Sequence, residues 1–143
     1  MATRQQWRRD EFVVCDEQSM VDAKLVAEWL AQTHWASRRP PAIVAQLIEH
    51  SLCFSLLRAD RFIGFARIVT DRTVFSWLSD LIVCAEFRGQ GLGKWIIECI
   101  LRHPHVSNTQ VVLQTSDAHG LYEKCGFELS GKLMSRTSQA PRN

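Results

Sequence analysis

The stretch RGQGLGK, residues 88–94, constrains this chain more than any other part of it. Before it lies an apolar segment, residues 77–83, that reads as a buried strand. After it come Trp95, Ile96, Ile97, Ile100 and Leu101 at helical spacing. Glycines at 89, 91 and 93 remove side chains where a strand turns into a helix. The N–H groups at a helix start have no partner within the helix and carry the positive end of its dipole. A diphosphate can therefore sit on the main chain there, with Arg88 and Lys94 adding charge. A glycine-rich turn without a ligand would explain one glycine, but hardly three with flanking cations.

Spacing separates the phosphate motifs that compete for this loop. A Walker A loop needs a glycine at 88, where Arg88 stands, and Ser or Thr after the lysine, where Trp95 stands. The dinucleotide pattern GxGxxG fits Gly89 and Gly91 but then meets Lys94. The pattern R/Q-x-x-G-x-G/A fits Arg88, Gly91 and Gly93. Further on, residues 118–127 read AHGLYEKCGF. Leu121 and Cys125 lie four apart on one helical face, and Gly126 suits the residue just past a helix end. With these two segments the chain resembles the GCN5-related N-acetyltransferase (GNAT) family. The first matches its acyl-CoA diphosphate loop and the second its A-x-x-L-Y-E-K-x-G-F segment. Together they cover residues 77–131, and the N-terminal part agrees in pattern.

A length of 143 residues with 46% hydrophobic content suits one compact α/β domain, placed at residues 1–136 with a flexible tail at 137–143. A net charge of +2 is too small to argue for nucleic acid. Arg4, Arg8 and Arg9 at one end, and Lys132, Arg136 and Arg142 at the other, read as solvated tails. No apolar run approaches membrane-spanning length and the first ten residues are charged, so no membrane partner is expected and the location is read as cytoplasmic. Cysteines at 15, 53, 84, 99 and 125 form no CxxC pair and mostly have apolar neighbours; they read as small buried thiols, with no metal site.

Periodicity and turn residues place strands at residues 12–15, 52–58, 62–70, 73–83 and 110–114, with one or two weak ones between 127 and 136. Ser19 with Asp22 resembles a capping box for a first helix, and Pro40 and Pro41 suit the first turn of a second. The resulting order, β-α-α-β-β-β-α-β-α-β-β, is that of the family. The resemblance implies a mixed, mostly antiparallel sheet flanked by helices, with two central parallel strands splayed apart around CoA. A short edge after Gly131 leaves a homodimer open.

The same resemblance implies an enzyme that moves an acetyl group from acetyl-CoA to a primary amine, by default that of a small molecule. A protein acceptor, or an acyl-CoA-binding module without activity, are the alternatives. Main-chain groups of Leu81, Ile82 and Val83 would contact the pantetheine and acyl carbonyl, and Arg88, Gly89, Gln90, Gly91, Leu92, Gly93 and Lys94 the diphosphate. Tyr122, with an ordinary pKa of ~10, suits a general acid toward the departing thiolate. Asp80 reads either as a base with a pKa raised by burial or as a buried anchor for an arginine such as Arg67. His119 is a further base candidate. Thr115 stands where the family often has an asparagine, and Asp117 could cap the last helix. His34, Trp35 and Trp77 are the candidates for the acceptor wall.

Overall fold

The computed structural model describes residues 4–139. Six strands form one sheet in chain order, β1 to β6. They are β1 (Gln6–Arg9), β2 (Phe12–Cys15), β3 (Leu52–Arg58), β4 (Arg61–Thr70), β5 (Phe75–Val83) and β6 (Gln110–Val112). Neighbours run antiparallel except β5 and β6, which are parallel. Helices α1 (Ala23–Ala31) and α2 (Pro41–Glu49) connect β2 to β3, α3 (Leu92–Arg102) connects β5 to β6, and α4 (His119–Glu123) follows β6. The mixed sheet with flanking helices is the architecture expected.

Each face of the sheet has its own core. Phe54, Leu56, Ile68 and Leu78 pack with Ile96, Ile97 and Ile100 of α3. On the other face Phe65 and Ile82 pack with Val26 and Leu30 of α1 and Val44 and Ile48 of α2. Trp29 of α1 stacks on Phe62 of β4, with ring centroids 5.2 Å apart. The apolar residues of each helix recur at spacings of three and four, so one stripe covers the sheet while the other side meets water.

Several boundaries differ from the sequence expectation. The charged segment Gln6–Arg9 forms an edge strand, joined to β2 by a turn with Asp10 at φ 54°. Asp22 caps α1 by accepting from the Leu25 N–H, whereas Ser19 bonds to Glu17, so the capping box is not formed. Strand β5 starts at Phe75 because Asp71 accepts from the N–H groups of Thr73, Val74 and Phe75 and holds them in a turn. Strand β6 ends at Val112. No strand follows α4 among the described residues, and Leu129, Leu133 and Met134 are exposed. Of the tail expected at 137–143, residues 140–143 lie outside the described residues.

Two irregularities position the cleft. The β3–β4 register shifts at Leu56/Leu57, and the β4–β5 register shifts between Phe65 and Arg67. In the second shift Phe65 pairs with Ile82 but Arg67 with Ser79, which leaves an extra residue on β5. Asp80 takes it up with φ 56°, a left-handed conformation rare outside glycine. An extra residue reverses the alternation, so Leu78 faces α3 while Ile82 faces α1 and α2. Beyond Trp77, paired with Val112, β6 has ended while β5 runs on to Val83, so the two strands part.

Gly64 of β4 supports the region from beneath. A Cβ there would lie 3.0 Å from Leu56 Cβ and Cδ2 and 3.1 Å from the Ile82 carbonyl oxygen. Gly64→Ala should therefore destabilise the fold by about 1–3 kcal/mol through overpacking. Urea unfolding would show this as a lower midpoint at unchanged slope.

Candidate active site

Gly91 sets the donor side of the cleft. It adopts φ 78° and serves as the N-cap of α3, whose first hydrogen bond runs from the Trp95 N–H to the Gly91 carbonyl. The N–H groups of Leu92, Gly93 and Lys94 make no backbone hydrogen bond among the described residues and point out of the helix start. A Cβ at Gly93 would meet nothing within 4 Å, so the space before these groups is open. Beside them lies a cavity of about 320 Å³ lined by Leu81, Val83, Phe87, Leu121 and the loop from Arg88 to Lys94.

The flanking cations are arranged differently from the expectation. Arg88 Nε donates to the Val83 carbonyl at 2.8 Å, which ties the loop to β5. Lys94 Nζ lies 3.7 Å from Glu98 one helical turn on. Arg9, expected in a solvated tail, comes to the loop instead. Its guanidinium stands over the Trp95 ring at 5.9 Å, and its Nη2 would be 3.9 Å from a Cβ at Gly91. Sequence reasoning missed it because the strand that carries it, β1, has no apolar alternation.

The open edge of β5 forms the floor. Main-chain groups of successive strand residues point to opposite neighbours. The Cys84 N–H bonds to Ile63 of β4, and Ile82, two residues back, turns the same way. Ile82 therefore offers its main chain to β4 rather than to the cleft, which corrects the expected contact. Leu81 and Val83 turn theirs to the open edge, and Arg88 already holds the Val83 carbonyl. The Leu81 N–H is left as the donor along that edge.

Tyr122 projects from α4, half-buried, with its ring edge-on to Phe127 at 5.8 Å. Burial, and then the nearby Cys125 and Asp117, push its hydroxyl above the ordinary tyrosine value. The group is thus held protonated more firmly than the sequence implied. Thr115 Oγ1 accepts from the Ala118 N–H and shapes the turn into α4, so it is Thr115, not Asp117, that bonds there. His119, in the first turn of α4, is half-buried. The thiols are inert by comparison: burial pushes Cys53 and Cys99 up to about 12. Among the described residues no cluster of His, Cys, Asp and Glu could hold a metal ion.

Asp80 lies at the acceptor side as an anchor. Its carboxylate is fully buried and receives Arg67 Nε at 2.6 Å and Arg39 Nη1 at 2.8 and 2.9 Å. Trp35 Nε1 donates to it at 3.1 Å. Burial alone would raise this carboxyl, but the hydrogen bond and charge of Arg67, followed by those of Arg39, outweigh it and hold the pKa below the usual carboxylate range. A general base needs the opposite shift, so of the two readings of Asp80 the geometry is that of the buried anchor for Arg67, and the raised value of the other is corrected. Arg39 and Trp35 belong to the loop between α1 and α2, which Asp80 thus clamps to β5. Within that loop Thr33 Oγ1 donates to the Leu30 carbonyl and accepts from the Ala36 N–H. His34 packs edge-on to Trp35 at 5.3 Å, and its Nε2 lies 3.5 Å from Ser116 Oγ across the cleft mouth. Trp77 stands further down β5, opposite Val69, half-buried.

Comparison with known proteins agrees with this geometry. The Acetyltransferase (GNAT) domain matches residues 49–129. A solved structure from Xanthomonas campestris pv. campestris, of a protein assigned to the GNAT family, has a TM-score of 0.84 and 36% identity, covering 89% of this chain and 93% of that one. A Gibberella zeae protein named as an acetyltransferase is 26% identical over 144 residues, 84% of this chain and 80% of its own length. A peptidyl-lysine N-acetyltransferase of Salmonella typhimurium, YjaB, is 28% identical over 118 residues, 76% of this chain and 78% of its own. The chain belongs to the GNAT acetyltransferase family.

The buried triad generates a stability prediction. Asp80→Asn would leave Arg67 and Arg39 half-buried without a counter-charge and should cost about 3–5 kcal/mol. In the parent protein a depressed folded pKa means that Asp80 stabilises fully above its unfolded value of ~3.9. That contribution is lost as pH falls below this value toward the folded one. Denaturant unfolding across pH 2–6 should show an acid-dependent loss in the parent that is smaller in Asp80→Asn.

Proposed function

We propose that this protein transfers an acetyl group from acetyl-CoA to the primary amine of a small molecule. The observation that carries the reading is the Gly91 loop: free N–H groups at a helix start, open space before Gly93, and an unpaired strand edge beside them. These features fit a CoA diphosphate on the loop and a pantetheine arm along β5. When bound, acetyl-CoA supplies an acetyl group already activated as a thioester. The chain's own tasks are then positioning and proton handling.

Leu92, Gly93 and Lys94 offer N–H groups to the diphosphate, with Lys94, Arg88 and Arg9 adding positive charge. Leu81 N–H polarises the acyl oxygen, a contribution that strengthens as the oxygen gains charge. Tyr122 holds its proton at Oη until a thiolate needs it. The Salmonella relative is named for peptidyl-lysine, so a lysine peptide belongs in any acceptor panel. Among the described residues no helix is long and apolar enough to cross a membrane.

Two substitutions test the reading. A Cβ at Gly93 meets nothing within 4 Å, so Gly93→Val should weaken CoA binding roughly tenfold or more by calorimetry while leaving thermal unfolding nearly unchanged. It is a cleaner probe than Gly91, where the left-handed φ would strain any side chain. Tyr122→Phe keeps the ring and removes the proton, so kcat should fall ~10²–10⁴-fold at nearly constant KM for acetyl-CoA. Full CoA affinity in Gly93→Val would remove the proposed binding mode. Full turnover in Tyr122→Phe would leave Tyr122 a packing residue.

A further inference from the structure

The acceptor side of the cleft carries positive charge that no ion pair among the described residues balances. Arg67 and Arg39 are both seated on the single carboxylate of Asp80. That carboxylate has no accepting position left. Its Oδ1 receives Trp35 Nε1 and Arg39 Nη1, and its Oδ2 receives Arg39 Nη1 and Arg67 Nε. Each nitrogen of Arg67 has a partner as well, because its Nη1 and Nη2 reach Ser51 Oγ and Ser79 Oγ at 3.3 and 3.5 Å, and its side chain is only 14% exposed.

Arg39 differs. It engages Asp80 through Nη1 alone, and its side chain is 29% exposed. Its Nε–H and Nη2 hydrogens have no acceptor among the described residues. They form the planar edge of a guanidinium, which matches a carboxylate or phosphate in a two-point bond. The group is also rigid, since Asp80 fixes one nitrogen and Thr33 and Trp35 fix the loop that carries it. Little ordering remains to be done when an anion arrives.

Resting on the transferase reading above, we propose that the acceptor is a small primary amine that also carries an anionic group, held by Nε and Nη2 of Arg39. Arg39 is seated on the side chain of residue 80, immediately before Leu81, whose N–H faces the acyl position. An acceptor that reached both would carry its amine and its anion on a short chain of atoms. Trp35, 49% exposed, gives that chain an apolar face, and His34 and Ser116 give it polar neighbours at the mouth. A polycationic amine would meet uncompensated positive charge here. A peptide lysine would bring its amine on a long aliphatic arm with no anion beside it.

The test is an acetylation panel read by thiol release, with β-alanine, O-phosphoethanolamine, ethanolamine and an end-blocked lysine peptide. One or both anionic amines should exceed ethanolamine in kcat/KM by on the order of 10–100-fold, and the better of the two identifies carboxylate or phosphate. Calorimetry on the protein with CoA should show the same amine binding. Arg39→Lys and Arg39→Ala, each first verified to bind CoA, should lose both the preference and the calorimetric signal. Preferred turnover of ethanolamine or of the peptide would overturn the proposal and leave the transferase reading standing, as would a preference that survives both variants. No turnover of any amine by a protein that binds CoA would instead sink the transferase reading, and the proposal with it.

Discussion

One buried carboxylate, shared by two guanidinium groups, holds the working part of this molecule in shape. Asp80 sits on a bulge in a left-handed conformation that a non-glycine residue resists. Its ion pairs with Arg67 and Arg39 keep it there. The bulge reverses the alternation of β5, so that Leu81 and Val83 line the cavity while Ile82 enters the core under α1 and α2. The same carboxylate also ties down the loop between α1 and α2. A buried ion pair gains little net stability over an apolar substitute, because removing charges from water is costly. What Asp80 secures is register: a one-residue slip of β5 would leave two guanidinium groups without a partner.

The two walls of the cleft are built by different means. Beside Gly91 the main chain supplies the groups on offer, through a helix start and a strand edge that runs on past β6. Side chains there matter mostly by being absent, as at Gly93. On the acceptor side the opposite holds, and Trp35, Arg39 and His34 present side chains from a loop. A backbone site has one geometry and suits a ligand portion that never varies. A loop held at a few side-chain contacts can be re-lined without disturbing the sheet, which is where selectivity for an acceptor would reside.

This division also explains what the sequence made legible. The glycine-rich loop announces itself because glycine spacing and a strand-to-helix change are local properties, as is Gly126 after α4. The edge strand Gln6–Arg9 was hidden because Trp7 is its single apolar residue, so it lacks the period-two pattern that marks β2. Arg9 was hidden with it. The expected strands after Phe127 are apolar enough on paper, but pairing is not local, and no neighbour is offered to them among the described residues. The two readings of Asp80 could not be separated for a related reason. Alternation predicts facing only while the register is unbroken, and the broken register is at Asp80 itself.

With Asp80 bound to two arginines, the cleft is asymmetric in its acid–base groups. Tyr122 is protonated and, half-buried, stays so; it can give a proton but does not readily take one up. Asp117 is exposed in the turn before α4, close enough to Tyr122 to reinforce that state. A carboxylate with a raised pKa, the usual device for drawing a proton from an ammonium at neutral pH, is not what Asp80 provides. For an amine bound beside it, the positive charge of Arg39 would act on the same problem from another direction. A guanidinium near an ammonium disfavours the charged amine and so lowers the pKa that must be overcome. An acceptor bearing its own anion would still be drawn in, because the anion meets Arg39 while the amine is held off toward Leu81. Its anion would cancel the excess charge on binding, so for such an acceptor the pairing with Arg39 would position the amine rather than lower its pKa.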